Sequence, residues 1–143
     1  MPHLIRIISI TFMFSGVLIS LFQCTNPHFD DLQMTSEIDE ETFLPLDDVD
    51  TFDISQETIY VAGRLNDVLE RIEISVEWIY YETDEYDEVT EITLAQSTIT
   101  STATRFYFWL ILTELDTVKP GDYEARLFIE DTHEETVPFT ITD

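Results

Sequence analysis

Residues 71–82, RIEISVEWIYYE, do most to limit what this chain can fold into. Ile72, Ile74, Val76, Trp78 and Tyr80 fall on every second position, with Glu73, Ser75 and Glu77 in the gaps and Ile79 and Tyr81 apolar on the other side. A period of two puts the first set on one face of a β-strand and the second on the opposite face. A strand with a tryptophan on its apolar face needs a second layer to cover it, so the segment predicts a central strand of a packed sheet.

The texture around it is consistent. From residue 50 onward, short alternating runs recur at roughly 8 to 12 residues with no helical periodicity, the spacing of an all-β sandwich. Residues 51–55 and 58–62 read as a first strand pair, with Phe52, Ile54, Ile59 and Val61 as core positions and Gly63 in the turn that follows. Residues 83–88, TDEYDE, read as a hairpin tip. Residues 89–95 alternate through Ile92 and Leu94, and 98–101 is a weaker Thr-rich continuation. Residues 105–113, RFYFWLILT, are apolar on both faces, which suits a strand covered on two sides or one whose outer face meets a partner. Tyr107, Trp109 and Ile111 are the candidate interaction row on that outer face.

The last third carries the most specific signal. Lys119-Pro120-Gly121-Asp122 is turn chemistry, with Pro presetting φ and Gly accepting a positive φ. Tyr123, Ala125, Leu127 and Ile129 then alternate, residues 131–134 turn, and Val137, Phe139 and Ile141 complete a last strand. This arrangement resembles the final two strands of immunoglobulin-like domains in secreted bacterial proteins. The resemblance implies that Tyr123 hydrogen-bonds back to the preceding corner. It also implies that Trp78 takes the place of the buried tryptophan of the third strand. Ala125 stands where antibody-type domains have a cysteine, so Trp78 would pack on Ala125 without a disulfide. The expected fold is an all-β, immunoglobulin-like antiparallel β-sandwich over residues 50–143, and such a fold specifies no function by itself.

Ahead of that domain, residues 1–6 hold one certain positive charge, and 7–22 are free of charge. Sixteen residues is short of the ~20 that cross a bilayer and sits at the upper edge of a signal-peptide core. Cys24, the single cysteine, follows immediately and has no internal disulfide partner. Leu21-Phe22-Gln23-Cys24 resembles the lipobox of bacterial lipoproteins, matching at Leu21 and Cys24 and departing at Phe22 and Gln23. The resemblance implies a signal peptide over 1–23 and lipidation of Cys24. Thr25 after it is not the Asp that retains such proteins at the inner membrane, which implies an outer-membrane destination where the organism has one. An uncleaved anchor or a plain signal peptide is the other reading of the same residues. Residues 24–49 are acidic and lack sustained apolar periodicity, so they read as a flexible, disordered tether. It would span on the order of 30 Å, with 43–46 docking on the domain as a short edge piece.

Charge narrows function. The chain has 30 acidic and 6 basic residues, a formal net charge of −24. Such a surface repels nucleic acid, because phosphate binding relies on Lys and Arg. No G-x-S-x-G, H-E-x-x-H or P-loop occurs, and His3, His28 and His133 are scattered. The acidic groups Glu82, Asp84, Glu85, Asp87 and Glu88, and Asp47, Asp48, Asp50 and Asp53, lack the EF-hand spacing and read as solvated loops, with a calcium site as the other reading of the same residues. The sequence therefore predicts no cofactor, no metal and no enzyme. It predicts a cell-envelope module, held to the membrane by lipid on the extracytoplasmic side, that binds a protein or glycan. The alternative is a structural accessory subunit of an envelope complex.

Overall fold

The computed structural model describes residues 26–101, 107–113 and 118–143. Among these, eight strands form two sheets: β1 (His28–Thr35), β2 (Thr51–Asp53), β3 (Ile59–Asn66), β4 (Ile72–Thr83), β5 (Val89–Ser101), β6 (Tyr107–Leu112), β7 (Gly121–Ile129) and β8 (Thr132–Thr142). One sheet has the order β1-β3-β6 and the other β2-β8-β7-β4-β5. Neighbours are antiparallel except β2, which runs parallel to β8. No helix among the described residues is long and apolar enough to cross a membrane.

The alternation in 71–82 produces β4 as expected. Ile74, Val76 and Trp78 are fully buried, while Glu73 on the other face is exposed. Trp78 lies opposite Ala125 of β7, and its ring meets Phe139 edge-on at 6.0 Å. Phe139 is the hub of this half of the core, stacked on Tyr123 at 5.3 Å and met edge-on by Phe52 at 5.9 Å. Phe29, Met34, Val61, Leu65, Phe108, Leu110 and Leu112 supply the facing half from the smaller sheet.

The Tyr123 hydroxyl donates to the Lys119 carbonyl and accepts from the Lys119 N–H at 3.1 Å. This is the corner the sequence predicts. Gly121 has φ +151°, and a Cβ there would lie 2.9 Å from Cε2 of Tyr80, so both backbone and space call for glycine.

The acidic segment 24–49 is not a tether over its described length. Residues 28–35 form β1, paired with β3, and bury Phe29 and Met34 in the core. The domain therefore begins near residue 28 rather than 50. The reason the pattern is hidden is a bulge: Asp30 faces Arg64, but Gln33 faces Ala62. One extra residue, with Asp31 at φ 52°, shifts the phase by one position. Phe29 and Met34 are five residues apart, of opposite parity, yet both point inward. Residues 36–50 then fold back as a loop carrying a bridge between Ile38 and Pro45, close to the docked piece expected at 43–46. Asp47 pins this loop, accepting from the Thr35 and Ser36 hydroxyls and from Ser36 N–H at 2.8 Å.

Other boundaries move for related reasons. Residues 51–55 and 58–62 do not pair with each other; β2 joins β8 and β3 joins the opposite sheet. Ile54 is accordingly exposed rather than core. Gly63 lies inside β3, where a Cβ would come within 2.6 Å of Leu32 on the bulged strand. Residues 89–101 are one strand of 13 residues, with Leu94 the extra residue between Thr93 and Ala95. The last hairpin turns at Glu130 and Asp131, both with positive φ (47° and 65°), so His133 lies in β8 beside Phe128.

Candidate interaction surface

Tyr107, Trp109 and Ile111 do share the outward side of β6, as their spacing predicts. Phe108, Leu110 and Leu112 between them are buried. Across β3 the row faces Arg64, Ala62 and Tyr60 respectively. It is not a flat exposed patch. Tyr107 is 38% exposed, while Trp109 and Ile111 are half-buried. The Trp109 ring meets Tyr60 edge-on at 5.6 Å, and its buried indole N–H has no acceptor among the described residues. The returning loop brings Leu44 and Pro45 to a hollow of about 210 Å³ shared with Asp31, Gln33, Gly63, Arg64 and Tyr107. The acidic loop thus partly roofs the predicted surface.

Three of the four described Lys and Arg side chains, Arg64, Lys119 and Arg126, sit in ion pairs, and Arg71 is exposed. Arg64 lies 3.6 Å from Asp30 and 3.3 Å from Asp31, and Lys119 lies 2.8 Å from Glu82. Arg126 crosses from β7 over the outer face of the large sheet, donating to both Glu91 oxygens at 3.0 and 2.8 Å, to Glu124 at 3.2 Å and to the Tyr81 hydroxyl at 3.0 Å. Hydrogen bonds from this guanidinium hold the Glu91 carboxyl below its ordinary pKa, and Glu124 pushes the Tyr81 phenol up. With these three cations engaged, the carboxylates leave the surface strongly negative, in keeping with the net charge of −24.

Those carboxylates are not gathered into a cation cage. Asp84 Oδ1 accepts from Tyr86 N–H at 2.7 Å and Glu88 N–H at 2.9 Å, which shapes the hairpin tip and leaves Tyr86 standing 78% exposed. Asp53 caps Ser55. Hydrogen bonds from Ser55 lower the Asp53 pKa. Among the described residues, no group of three or more His, Cys, Asp or Glu is placed to hold a metal ion. Cys24, the predicted lipidation site, lies outside the described residues, as does the 1–23 segment.

Two further hollows flank the large sheet, and neither is legible in the sequence because each joins residues from distant strands. One, of about 340 Å³, lies over Asp50, Thr51, Tyr81, Asp122, Glu124 and Pro138. The other, of about 210 Å³, is lined by Tyr80, Glu82, Ile92, Leu94, Lys119 and Tyr123, beside the edge of β5 with which no described strand pairs.

No family model matches this chain, and no curated protein does. Among solved structures, it is similar to an immunoglobulin-like protein from Pseudomonas aeruginosa, with a TM-score of 0.56 and 8% identity over 84% of this chain and 99% of that one. It also aligns with parts of two larger proteins. These are a Pseudomonas fluorescens alkylpurine DNA glycosylase (TM-score 0.44, 10% identity, 82% of this chain and 30% of that one) and a Listeria innocua beta-glucosidase (0.45, 11%, 82% and 16%). The likeness to the first is one of fold. The described residues form an all-β, two-sheet sandwich of immunoglobulin-like architecture.

Proposed function

We propose that this chain is a lipid-anchored, extracytoplasmic binding module whose immunoglobulin-like domain recognises a protein partner without catalysing a reaction. The observation that carries the reading is the closeness of a lipobox-like Leu21–Cys24 to a folded strand beginning at His28. Four residues reach at most about 14 Å, so lipid on Cys24 would hold the domain against its membrane instead of at the end of a long leash. The strongly acidic surface favours a basic partner over nucleic acid or anionic lipid.

Mass spectrometry of the mature N-terminus tests the anchor. A diacylglyceryl mass on residue 24, lost in Cys24→Ser, is the expected result; an intact Met1 overturns it. A pulldown from detergent-solubilised envelope separates the binding module from an accessory subunit, since the latter would bring down a membrane partner in fixed stoichiometry.

A further inference from the structure

Among the described residues, no strand pairs with the outer edge of β5. We infer that residues 89–93 are a strand-addition site for an extended, basic segment of a partner protein. This rests on the reading of the domain as a binding module and names where and how it binds.

β5 ends the five-stranded sheet, so alternate N–H and C=O groups along it point away from β4. The two halves of the strand differ. Ser97 donates its hydroxyl to the Ile111 carbonyl at 3.3 Å, so the smaller sheet closes against that half. Residues 89–93 run beyond this contact, ahead of the bulge at Leu94, and five residues is an ordinary strand length. Exposed edges are normally blunted by Lys, Pro or an inward charge. Between Val89 and Ser101 there is no Lys, Arg or Pro, and the sole charged side chain is Glu91. Both Glu91 oxygens are held by Arg126 on the outer face, so the one repulsive group on this edge is neutralised.

What the edge would accept follows from its surroundings. On the core side it borders the hollow of Tyr80, Ile92, Leu94 and Tyr123, where the Glu82–Lys119 ion pair also lies, so apolar side chains suit the Ile92 and Leu94 positions of an added strand. At its far end stand Asp84, Glu85, Asp87 and Glu88, which suit Lys or Arg. A second copy of this chain fits poorly, because it would set −24 against −24 and bring two acidic tips together.

The probe is an eight-residue peptide alternating Lys and Val, titrated into the full chain in detergent micelles, with amide hydrogen exchange as readout. Slowed exchange confined to residues 89–95, with at least tenfold weaker binding in Ile92→Lys at unchanged melting temperature, is the expected result. A Lys-Ser peptide of equal charge should bind weakly and leave the edge exchanging. Equal binding of the two peptides, or protection elsewhere with the edge unchanged, overturns the site. A natural partner that protects the Tyr107 side of the domain would leave the binding module standing and remove only this edge, and neither result bears on the mass at Cys24.

Discussion

Trp78 and Ala125 face each other across β4 and β7, both fully buried. Ala125 is the small member of this buried pair, and the indole of Trp78 extends to Phe139, which it meets edge-on at 6.0 Å. Trp78→Ala should cost about 3–5 kcal/mol, measured by urea unfolding followed by near-UV circular dichroism, and a loss under 1 kcal/mol would contradict this packing.

Tyr123 ties the 119–122 corner through its hydroxyl. Burial raises its pKa, opposed by the Lys119 hydrogen bond. Tyr123→Phe keeps the ring against Phe139 and removes only that tie, so it should cost about 1–2 kcal/mol. Amide exchange at residues 119–122 should quicken in the variant before the strands are affected.

Because β1 belongs to the domain, truncation separates the two boundaries. A chain starting at residue 27 should unfold cooperatively with nearly full stability. One starting at residue 50 loses Phe29 and Met34 from the core, about 1.5–3 kcal/mol for each, and uncovers β3. It should bind a hydrophobic dye and melt broadly; equal melting of the two chains would restore the tether reading.

Burial pushes the Asp47 carboxyl up, but hydrogen bonds from Ser36 and Thr35 outweigh it, and the net pKa is lowered. A carboxylate whose folded pKa lies below its unfolded value, about 3.9, stabilises above that value and loses this as pH falls through the folded one. Asp47→Asn should therefore cost about 2 kcal/mol near pH 7, and the gap from wild type should close below about pH 4. Paired urea titrations between pH 3 and 7 read it directly.

The two-residue turn at Glu130 and Asp131 holds both residues at positive φ. Glu130 is compensated, since its carboxylate accepts the Glu73 N–H at 2.6 Å. Asp131 has no such bond here, so Asp131→Gly should stabilise by about 0.5–1 kcal/mol, seen as a raised melting temperature.

How much was legible depended on whether the chain keeps its phase. β4, β7 and β8 keep theirs through the core positions, so Trp78, Ala125, Tyr123 and Phe139 were all placed from alternation and one turn motif. β1 is hidden in the sequence because the bulge after Asp30 puts Phe29 and Met34 out of step along the chain but in step in space. The turn at 130–131 was misplaced because neither residue is the Gly or Asn that such a turn normally displays. The row Tyr107, Trp109 and Ile111 was assigned to the right face, yet its cover by Leu44 and Pro45 depends on a loop that returns across another strand. Local pattern carries no trace of that.

A load applied along the axis of β1 at its His28 end would shear it against β3, starting from the pair His28 and Asn66. Hydrogen bonds lying across that direction are strained together rather than unzipped one after another. The rung spacing that builds this edge therefore also makes it a shear clamp, resisting tugging far better than the small number of bonds would suggest.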